Sequence, residues 1–488
     1  MRPDYLELAH ALMPEAALVL GALVVLGFDL VVAKRDTPAE RMNSSVTIGA
    51  MAIVAALWHT VRAGAFGAAF GDVLIFDHLA VAVRVGVLVL ALLTLLIAAG
   101  TAKRRHAAEF VAVILFATVG FMLMAAAQQL LLAFLALELA SLSLYVLAGF
   151  DKSRPESAEA GLKYFLFGGM AAAFLLFGFS LIYGLTGSIE LRQISVQLAQ
   201  QGLSPLLVVA LVMVLVAFGF KASAAPFHLW APDVYEGAPV SSAALIASAS
   251  KLAGFALFTR LLWPGFGVVA GSGSTLHAWA GWVPVVAVLS AASLFIGNLG
   301  ALAQTNVRRL LAYSAIAHAG SLLLGVIAAG HVGPGPLFYY AATYGLATVG
   351  AFGVIAVVAN AGACQKITDL AGLHRRSPLL AGCLLVFILS LAGIPPLAGF
   401  FGKFAVFAAA LQLGGLHHPV GWLAFLAIAF SAVALYYYLV VLKQAMVAAP
   451  APDTGRIAVP SAAATALVAA ALMLLVFGLF PSLLLGIF

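Results

Sequence analysis

Seven side chains have the chemistry and the setting to carry protons: Glu138, Lys163, Lys221, His228, Lys251, His318 and Lys403. Carboxylate, amine and imidazole are the groups that positioned acid–base chemistry uses. Glu138 and the four lysines fall inside otherwise apolar stretches, as does Arg84. A charge at the centre of a bilayer costs roughly 2.5–3.5 kcal/mol on insertion scales. Six such charges need a reason. Near a helix end the reason is simple, because a long stem lets the charged head reach the interface.

Glu138 lies in LLAFLALELASLSLYVLAGF, too deep to reach an interface, and reads as a functional or paired carboxylate. Lys163 follows Pro155 in PESAEAGLKYFLFGG. Proline suits a first helical turn, so this lysine stands about two turns inside. It either reaches back to the surface or pairs with Glu138. Lys221 precedes Pro226 in VLVAFGFKASAAPFHLWAPDV. Proline removes a donor and disfavours helix at the residue before it, so the chain should break beside this lysine. Lys251 sits among small residues in SSAALIASASKLAGFALF, far from either helix end. Lys403 follows Pro395 and Pro396 by a few residues in LSLAGIPPLAGFFGKFAVF, a second predicted break. His228 and His318 titrate near neutral pH when unperturbed, and each serves either proton transfer or a plain hydrogen bond. Arg84 does not release its proton. It follows Asp72 and Asp77, and a structural ion pair near the outer surface is its expected role.

Four membrane lysines face one membrane glutamate, so pairing cannot neutralise them all. Buried amines lacking a countercharge can exchange protons near neutral pH, and a row of them across the bilayer is a proton path. Other chemistries lack their motifs: no dinucleotide fingerprint, no phosphate-binding lysine loop, no metal-ligand cluster. The expectation is no cofactor in this chain. Two cysteines, Cys364 and Cys383, cannot hold a four-thiolate cluster and read as ordinary small residues. Asp233 and Glu236 in WAPDVYEGAP form either a cation site or a loop salt bridge.

The elements that must hold these groups follow from composition. Of 488 residues, 64% are hydrophobic and 9% charged, with 24 Lys+Arg against 18 Asp+Glu. A soluble domain carries about 25% charged residues, so a water-soluble globule is excluded, along with disorder and coiled coil. The net charge of +6 reflects loop lysines and arginines and is no sign of nucleic acid. Spans of roughly 20 apolar residues recur throughout. The expectation is an all-α polytopic membrane protein with about fourteen helices at roughly 14–33, 46–63, 77–100, 108–126, 129–150, 157–185, 205–222, 239–262, 279–300, 305–330, 335–360, 379–412, 420–443 and 458–480. Lys34 and Arg35 follow the first stretch, the reverse of a signal peptide's order. Links after odd-numbered helices, including Lys103, Arg104 and Arg105, hold 15 basic residues, and the N-terminus with the even links holds 4. The positive-inside rule then puts the odd links in the cytoplasm and both termini outside. Broken helices in corresponding halves point to a transport site. The predicted organisation is residues 1–107 with helices 1–3, 108–262 as a five-helix repeat (helices 4–8), 279–445 as a second, inverted repeat (helices 9–13), and 446–488 with helix 14. Helices 7 and 12 are then equivalent, with Lys403 the counterpart of Lys221.

The segments ELASLSLYVLAGF (138–150), ESAEAGLKYFLFGG (156–169), KASAAPFHLWAPDVYEGAP (221–239) with SKLAGF (250–255), RRLLAYSAIAHAG (308–320) and GIPPLAGFFGKF (393–404) resemble those of the antiporter-like subunits of respiratory complex I and the related Mrp antiporters. The resemblance extends over nearly the whole chain. It implies a hetero-oligomer with other membrane-arm subunits in a bacterial inner membrane, with redox and quinone chemistry in those partners. It also implies roles. Glu138 and Lys163 resemble the family's ion pair, Lys221 the lysine that pair modulates, His228 and Lys251 the central relay, with His318 assigned to it less firmly, and Lys403 the periplasmic outlet. Lysine at 403 and the absence of a long C-terminal extension fit one of the family's three large complex I members. Two other readings stay open: a sodium/proton antiporter without redox partners, and a scaffold whose charges only hold helices together.

Overall fold

In a bilayer no water is available to satisfy backbone amides, so each apolar run must bond internally as a helix. In the computed structural model, which describes residues 5–101, 106–271, 281–362, 364–413, 415–450 and 455–488, that is what the chain does. Lys103, Arg104 and Arg105, counted above for topology, lie outside the described residues. The spanning helices are α1 (Met13–Val31), α2 (Pro38–Ala63), α3 (His78–Thr101), α4 (Ala107–Ala126), α5 (Leu130–Ala148), α6 (Pro155–Thr186), α7a (Pro205–Ala222) with its continuation α7b (Trp230–Gly237), α8a (Val240–Ala247) with α8b (Ala249–Arg260), α9 (Trp282–Leu302), α10 (Val307–Val332), α11 (Gly335–Ala361), α12a (Pro378–Ala392) with α12b (Ala398–Leu411), α13 (Pro419–Met446) and α14 (Ser461–Leu479). Among the described residues 13 helices are long and apolar enough to cross a membrane. The two shorter halves of α12 supply the remaining expected crossing.

Local chemistry sets the boundaries. A capping box between Thr37 and Glu40 opens α2, with Pro38 in its first turn. Ser204 caps α7a ahead of Pro205. Asn306 opens α10 by accepting from the amides of Arg308 (2.9 Å) and Arg309 (3.2 Å). Several small elements are not anticipated by the sequence, and two of them stand out. One is the helix Leu191–Gln201 between α6 and α7a. The other is a hairpin that pairs Gly67–Ala69 with Leu74–Phe76.

The breaks in helices 7 and 12 fall where the prolines predicted. α7a ends at Ala222 and Ser223 turns left-handed (φ 55°); α12a ends at Ala392 and Gly393 does the same (φ 85°). The two breaks share a register, because Pro226 and Pro396 each stand three residues beyond the turning residue. Lys221 lies before its break and Lys403 beyond its own, so Lys403 occupies the position of Asp233, not of Lys221. Helix 8 differs from expectation. It is interrupted at Ser248 (φ −114°, ψ −84°), three residues before Lys251. No proline or glycine marks that spot, so the sequence carried no sign of it.

The core gathers around helices 8, 10 and 11, whose membrane stretches are 94%, 94% and 100% buried. Lys251, His318 and several tyrosines ride on these three. α9 packs tightly on α10: a Cβ at Gly297 would come within 2.4 Å of the Ala317 amide nitrogen. The outer helices show leucine, valine and phenylalanine to their surroundings, as a lipid-facing surface does. Cys364 and Cys383 are free and buried. Burial, reinforced by the charge of Asp369, pushes the Cys364 thiol up to about 12, which makes it inert.

Arg84 is ion-paired as expected, with a different acid. Its Nη2 donates to Glu15 Oε2 at 2.6 Å, and both side chains are nearly sealed from solvent. Asp77 instead takes Arg260 (2.8 Å), and Asp29 takes Arg41. Glu15 and Asp29 are thus buried acids that accompany Glu138, each close to a helix end and each matched by an arginine. Removing one partner of a buried pair costs about 3–5 kcal/mol, whereas replacing both with apolar groups is often neutral. Arg84→Met should therefore lower the assembled amount and thermal stability of the protein. Glu15→Met added to it should restore both, as read by thermal unfolding of the detergent-purified assembly. A double variant no better than the single one would show that Arg84 acts through something other than Glu15.

Candidate functional site

α5 carries Glu138 nine residues into the helix, half-buried, with one carboxylate oxygen (Oε1) sealed and free of hydrogen bonds among the described residues. Ser141, one turn on, shares that face and accepts a hydrogen bond from Lys221 Nζ at 3.1 Å. Glu138 lies close enough to Lys221 to interact with it electrostatically.

Lys251 comes from α8b, just past the Ser248 interruption. Its ammonium is held by three oxygens: the Ala222 carbonyl (3.1 Å), Ser223 Oγ (2.8 Å) and the Ala315 carbonyl (2.7 Å). Two of these belong to the end of α7a, where breaking the helix frees carbonyls and concentrates the negative end of its dipole. Lys403 is held the same way. Its Nζ donates to the carbonyl of Ala392, the last residue of α12a, at 3.0 Å. Ala222 and Ala392 are the matching residues of the two breaks, so in its setting Lys403 is the counterpart of Lys251. The halves of α12 approach closely, since a Cβ at Gly399 would fall 1.8 Å from the Ser390 carbonyl oxygen.

His318 joins the two lysines. It stands on α10 one turn beyond Ala315 and interacts electrostatically with both Lys251 and Lys403. Its Nδ1 lies 2.6 Å from the Tyr340 hydroxyl and its Nε2 3.1 Å from that of Tyr438. Tyr438 also bonds Ser314. A cavity of about 10 Å³, near the size that admits one water, touches His318, Tyr340, Asn298, Tyr437 and Lys403. A second of about 10 Å³ touches Lys221, Ala222 and Lys251. The order across the molecule is Glu138, Lys221, Lys251, His318, Lys403. Every described hydrogen bond from these three lysines goes to a neutral oxygen. Among the described residues no carboxylate lies within ion-pair distance of them. The row thus consists of titratable groups without fixed countercharges, with a water-sized cavity beside Lys221 and Lys251 and another beside His318 and Lys403.

Two predicted members stand apart. Lys163 does not pair with Glu138. It reaches back toward the surface and binds Glu159 and Asp233, each at 2.6 Å. Glu138 is about 15 Å below the end of α5, at about 1.5 Å per residue over the ten residues to Ala148. The flexible lysine stem instead finds two better-hydrated carboxylates one turn back and across on α7b. Asp233 also takes Arg309 Nη1 (2.7 Å), which binds Glu236 (2.8 Å), and Glu236 accepts from Asn306 (2.8 Å). Asp233 and Glu236 are therefore a salt-bridge network that ties α6, α7b and α10, the second of the two readings offered by the sequence. His228 is buried in the α7 break, and no described hydrogen bond joins it to Lys221 or Lys251. The sequence reading overlooked Ser141, Ser223, Tyr340 and Tyr438. The tyrosines carried a signal, since a buried phenol needs a partner. Among the described residues no cluster of His, Cys, Asp or Glu could hold a metal ion.

The Asp233 carboxylate is held by hydrogen bonds from Lys163 (2.6 Å) and Arg309 (2.7 Å). Protonating it removes both ion pairs, so the stability they contribute is lost as pH falls below the ordinary carboxyl range of about 4. The wild-type assembly should lose thermal stability on going from pH 5 to about pH 3 by more than Asp233→Asn does. Parallel thermal-unfolding titrations of the two proteins make the comparison. Identical pH profiles would remove Asp233 from the network's energetics.

Residues 127–431 match the family described as NADH:quinone oxidoreductase/Mrp antiporter, TM. NADH-quinone oxidoreductase subunit N 2 of Acidobacterium capsulatum is 45% identical, over 99% of this chain and 98% of that one. Subunit N of Trichlorobacter lovleyi is 38% identical over 98% and 95%. A chain of respiratory complex I from Thermus thermophilus with bound aureothin superposes with a TM-score of 0.80 at 34% identity, covering 97% and 98% of the two chains. A chain of the Mrp complex from Dietzia sp. has the same fold, with a TM-score of 0.78 at 22% identity over 97% and 96%.

Proposed function

The chain belongs to the NADH:quinone oxidoreductase/Mrp antiporter membrane family, and from that membership we propose that it moves protons along Glu138, Lys221, Lys251, His318 and Lys403. It is a membrane-arm subunit of a proton-translocating NADH-quinone oxidoreductase, matching subunit N of that enzyme along nearly its full length. It works within a hetero-oligomeric respiratory complex, where the energy for pumping comes from redox chemistry. NADH oxidation and quinone reduction take place in partner subunits, and this chain holds no cofactor of its own. The relatives from Acidobacterium and Trichlorobacter support a bacterial inner membrane, and the bias of lysine and arginine supports odd links in the cytoplasm and both termini periplasmic. The like breaks in helices 7 and 12 support two inverted repeats, over residues 108–262 and 279–445, flanked by helices 1–3 and by helix 14.

One observation carries the relay: three buried lysines lean on neutral oxygens with water-sized spaces between them and a histidine in line. A scaffold would spend these charges on acids, as the periphery does with Arg84, Arg260 and Arg41. The Mrp reading rests on shared fold, whereas the relatives with the higher identity are complex I subunits. Lys403 is the outlet residue toward the periplasm, beyond His318. Lys163 and its partners sit at the opposite, basic face, where movement of Lys163 between Asp233 and Glu138 would change the charge that Lys221 feels. His228 remains a candidate relay member only through a rearrangement that brings it to Lys221 or Lys251.

Glu138 tests the proposal because, among the described residues, it is the acid that interacts with the lysine row. Glu138→Gln keeps the shape and removes the charge. In the intact enzyme reconstituted into vesicles it should lower proton pumping and NADH-quinone turnover together, since the two are coupled. Glu138→Asp keeps the charge on a shorter stem and should lose less. Pumping by Glu138→Gln equal to wild type, at matched assembly, would rule out a relay that starts at this carboxylate.

A further inference from the structure

Two helices leave an apolar groove on the outer flank of the molecule. Near their first turns α9 and α13 enclose a space of about 380 Å³, lined by Val283, Ala287 and Ala291 on one side and by Leu423 and Leu426 on the other. α10 starts with Arg308 and Arg309 at the basic face and packs antiparallel on α9. The start of α9, and the groove with it, therefore lies in the half of the membrane away from that face. Among the described residues the groove's lining carries polar side chains only at its mouth, where His418 and Trp422 stand at the start of α13.

Aromatic rings close the inner end. Phe295 and Phe430 stand one turn beyond Ala291 and Leu426 on the same two helix faces, and they meet edge to face with centroids 5.9 Å apart. Phe430 also lines the small cavity that touches His318 and Lys403, as does Leu294, the chain neighbour of Phe295. The ring pair is thus part of the wall between the groove and the relay cavity. From His418 to Phe430 the helix runs about 18 Å. That is close to half of the roughly 30 Å hydrocarbon core, the depth of one leaflet. A spanning helix from a partner would need a groove that continued past the midplane.

The mouth has the chemistry of a headgroup site. The Val420 amide donates to His418 Nδ1 at 3.2 Å. A ring nitrogen that accepts leaves the proton on Nε2, so His418 brings an N–H donor to the mouth of an apolar slot. A phosphodiester supplies the matching acceptor and its acyl chain the apolar body. Trp422 is exposed at the same level, and indoles favour the membrane interface.

We infer that the α9–α13 groove binds a phospholipid of the leaflet away from the basic face, with its phosphate on His418 and one acyl chain laid down to the Phe295–Phe430 pair. The chain backs the wall of the Lys403 cavity with hydrocarbon on its lipid side. That consequence rests on the relay proposed above, whereas the binding itself does not.

The intact complex, purified in detergent, is given a trace of phosphatidylglycerol with a diazirine at the end of one acyl chain, irradiated, and its labelled peptides are mapped. Label should concentrate on 283–295 and 418–430 over the exposed face of α6 around Leu162 and Leu166, the reference for bulk lipid. Ala287→Trp fills the groove and should cut that label at least about tenfold, the equivalent of keeping two methylenes out of an apolar site. Val288→Trp, which blocks the groove from its exposed rim, should do the same, and Ala429→Trp on the exposed face of α13 should not. His418→Asp keeps an acceptor for the Val420 amide and replaces the donor with a negative charge. It should cut label from the phospholipid at least about tenfold, the weight of one hydrogen bond to a charged group, and spare label from a diacylglycerol with the same chain. Even label over α6, α9 and α13, or label that survives both groove-blocking tryptophans, overturns the site. So does an absence of label on α9 and α13, which would place a partner subunit over the groove. Loss of both probes in His418→Asp, or of neither, overturns the phosphate contact. None of these readouts depends on pumping, so a failure of the relay leaves them unmoved.

Discussion

A lysine ammonium within a membrane must find oxygen, and the carbonyls of a continuous helix are mostly committed to its own hydrogen bonds except at its ends. This chain solves the problem by ending two helices inside the bilayer. The last carbonyl of α7a receives Lys251 and the last carbonyl of α12a receives Lys403. The frayed ends also carry the negative pole of their helix dipoles. Positive charge is stabilised there without a carboxylate, which leaves each amine free to lose its proton without leaving an unmatched acid behind. The prolines, the left-handed Ser223 and Gly393, and the tight approach at Gly399 all serve to hold those two helix ends in place.

The distribution of ion pairs follows the same logic. Where charge only has to hold helices together, it is fixed: Arg84 to Glu15, Arg260 to Asp77, Arg41 to Asp29. Arginine suits that task because it keeps its proton. In the proposed relay the cationic residues are lysine or histidine, and the oxygens that hold the lysines are neutral. Lys163 stands between these classes. It is paired to Glu159 and Asp233 at the basic face, within a network that continues through Arg309 to Glu236. That network joins α6, α7b and α10, so a shift of Lys163 would be felt in both halves of the molecule.

Much of this was legible in the sequence because membrane chemistry is stringent. Apolar run lengths gave the helices, proline gave both breaks, and the stranded lysines gave the row. Pairing was less legible. Glu138 and Lys163 look like partners in linear order, but they sit at different depths. The competing acids, Glu159 and Asp233, lie one turn back and seventy residues on, where only the fold brings them close. Glu15 was invisible as a partner of Arg84 for the same reason, sixty-nine residues away. The interruption at Ser248 has no proline or glycine to announce it. The tyrosines around His318 read as ordinary helix residues until their neighbours are known. Lys403 was matched to Lys221 because both are lysines beside prolines, whereas the register of the breaks matches it to Asp233 and its cradle to Lys251.

The central claim is that the lysine row works by releasing protons and not merely by carrying charge. Lys251→Arg separates the two. Arginine preserves the positive charge and can reach the Ala222 and Ala315 carbonyls, but it does not give up its proton. The measurement is protons pumped per NADH oxidised by the intact enzyme in sealed vesicles, at matched assembly, for wild type and Lys251→Arg. A relay predicts that the variant assembles normally and pumps fewer protons per NADH. An unchanged ratio at full turnover would contradict the account and leave Lys251 as a fixed structural charge.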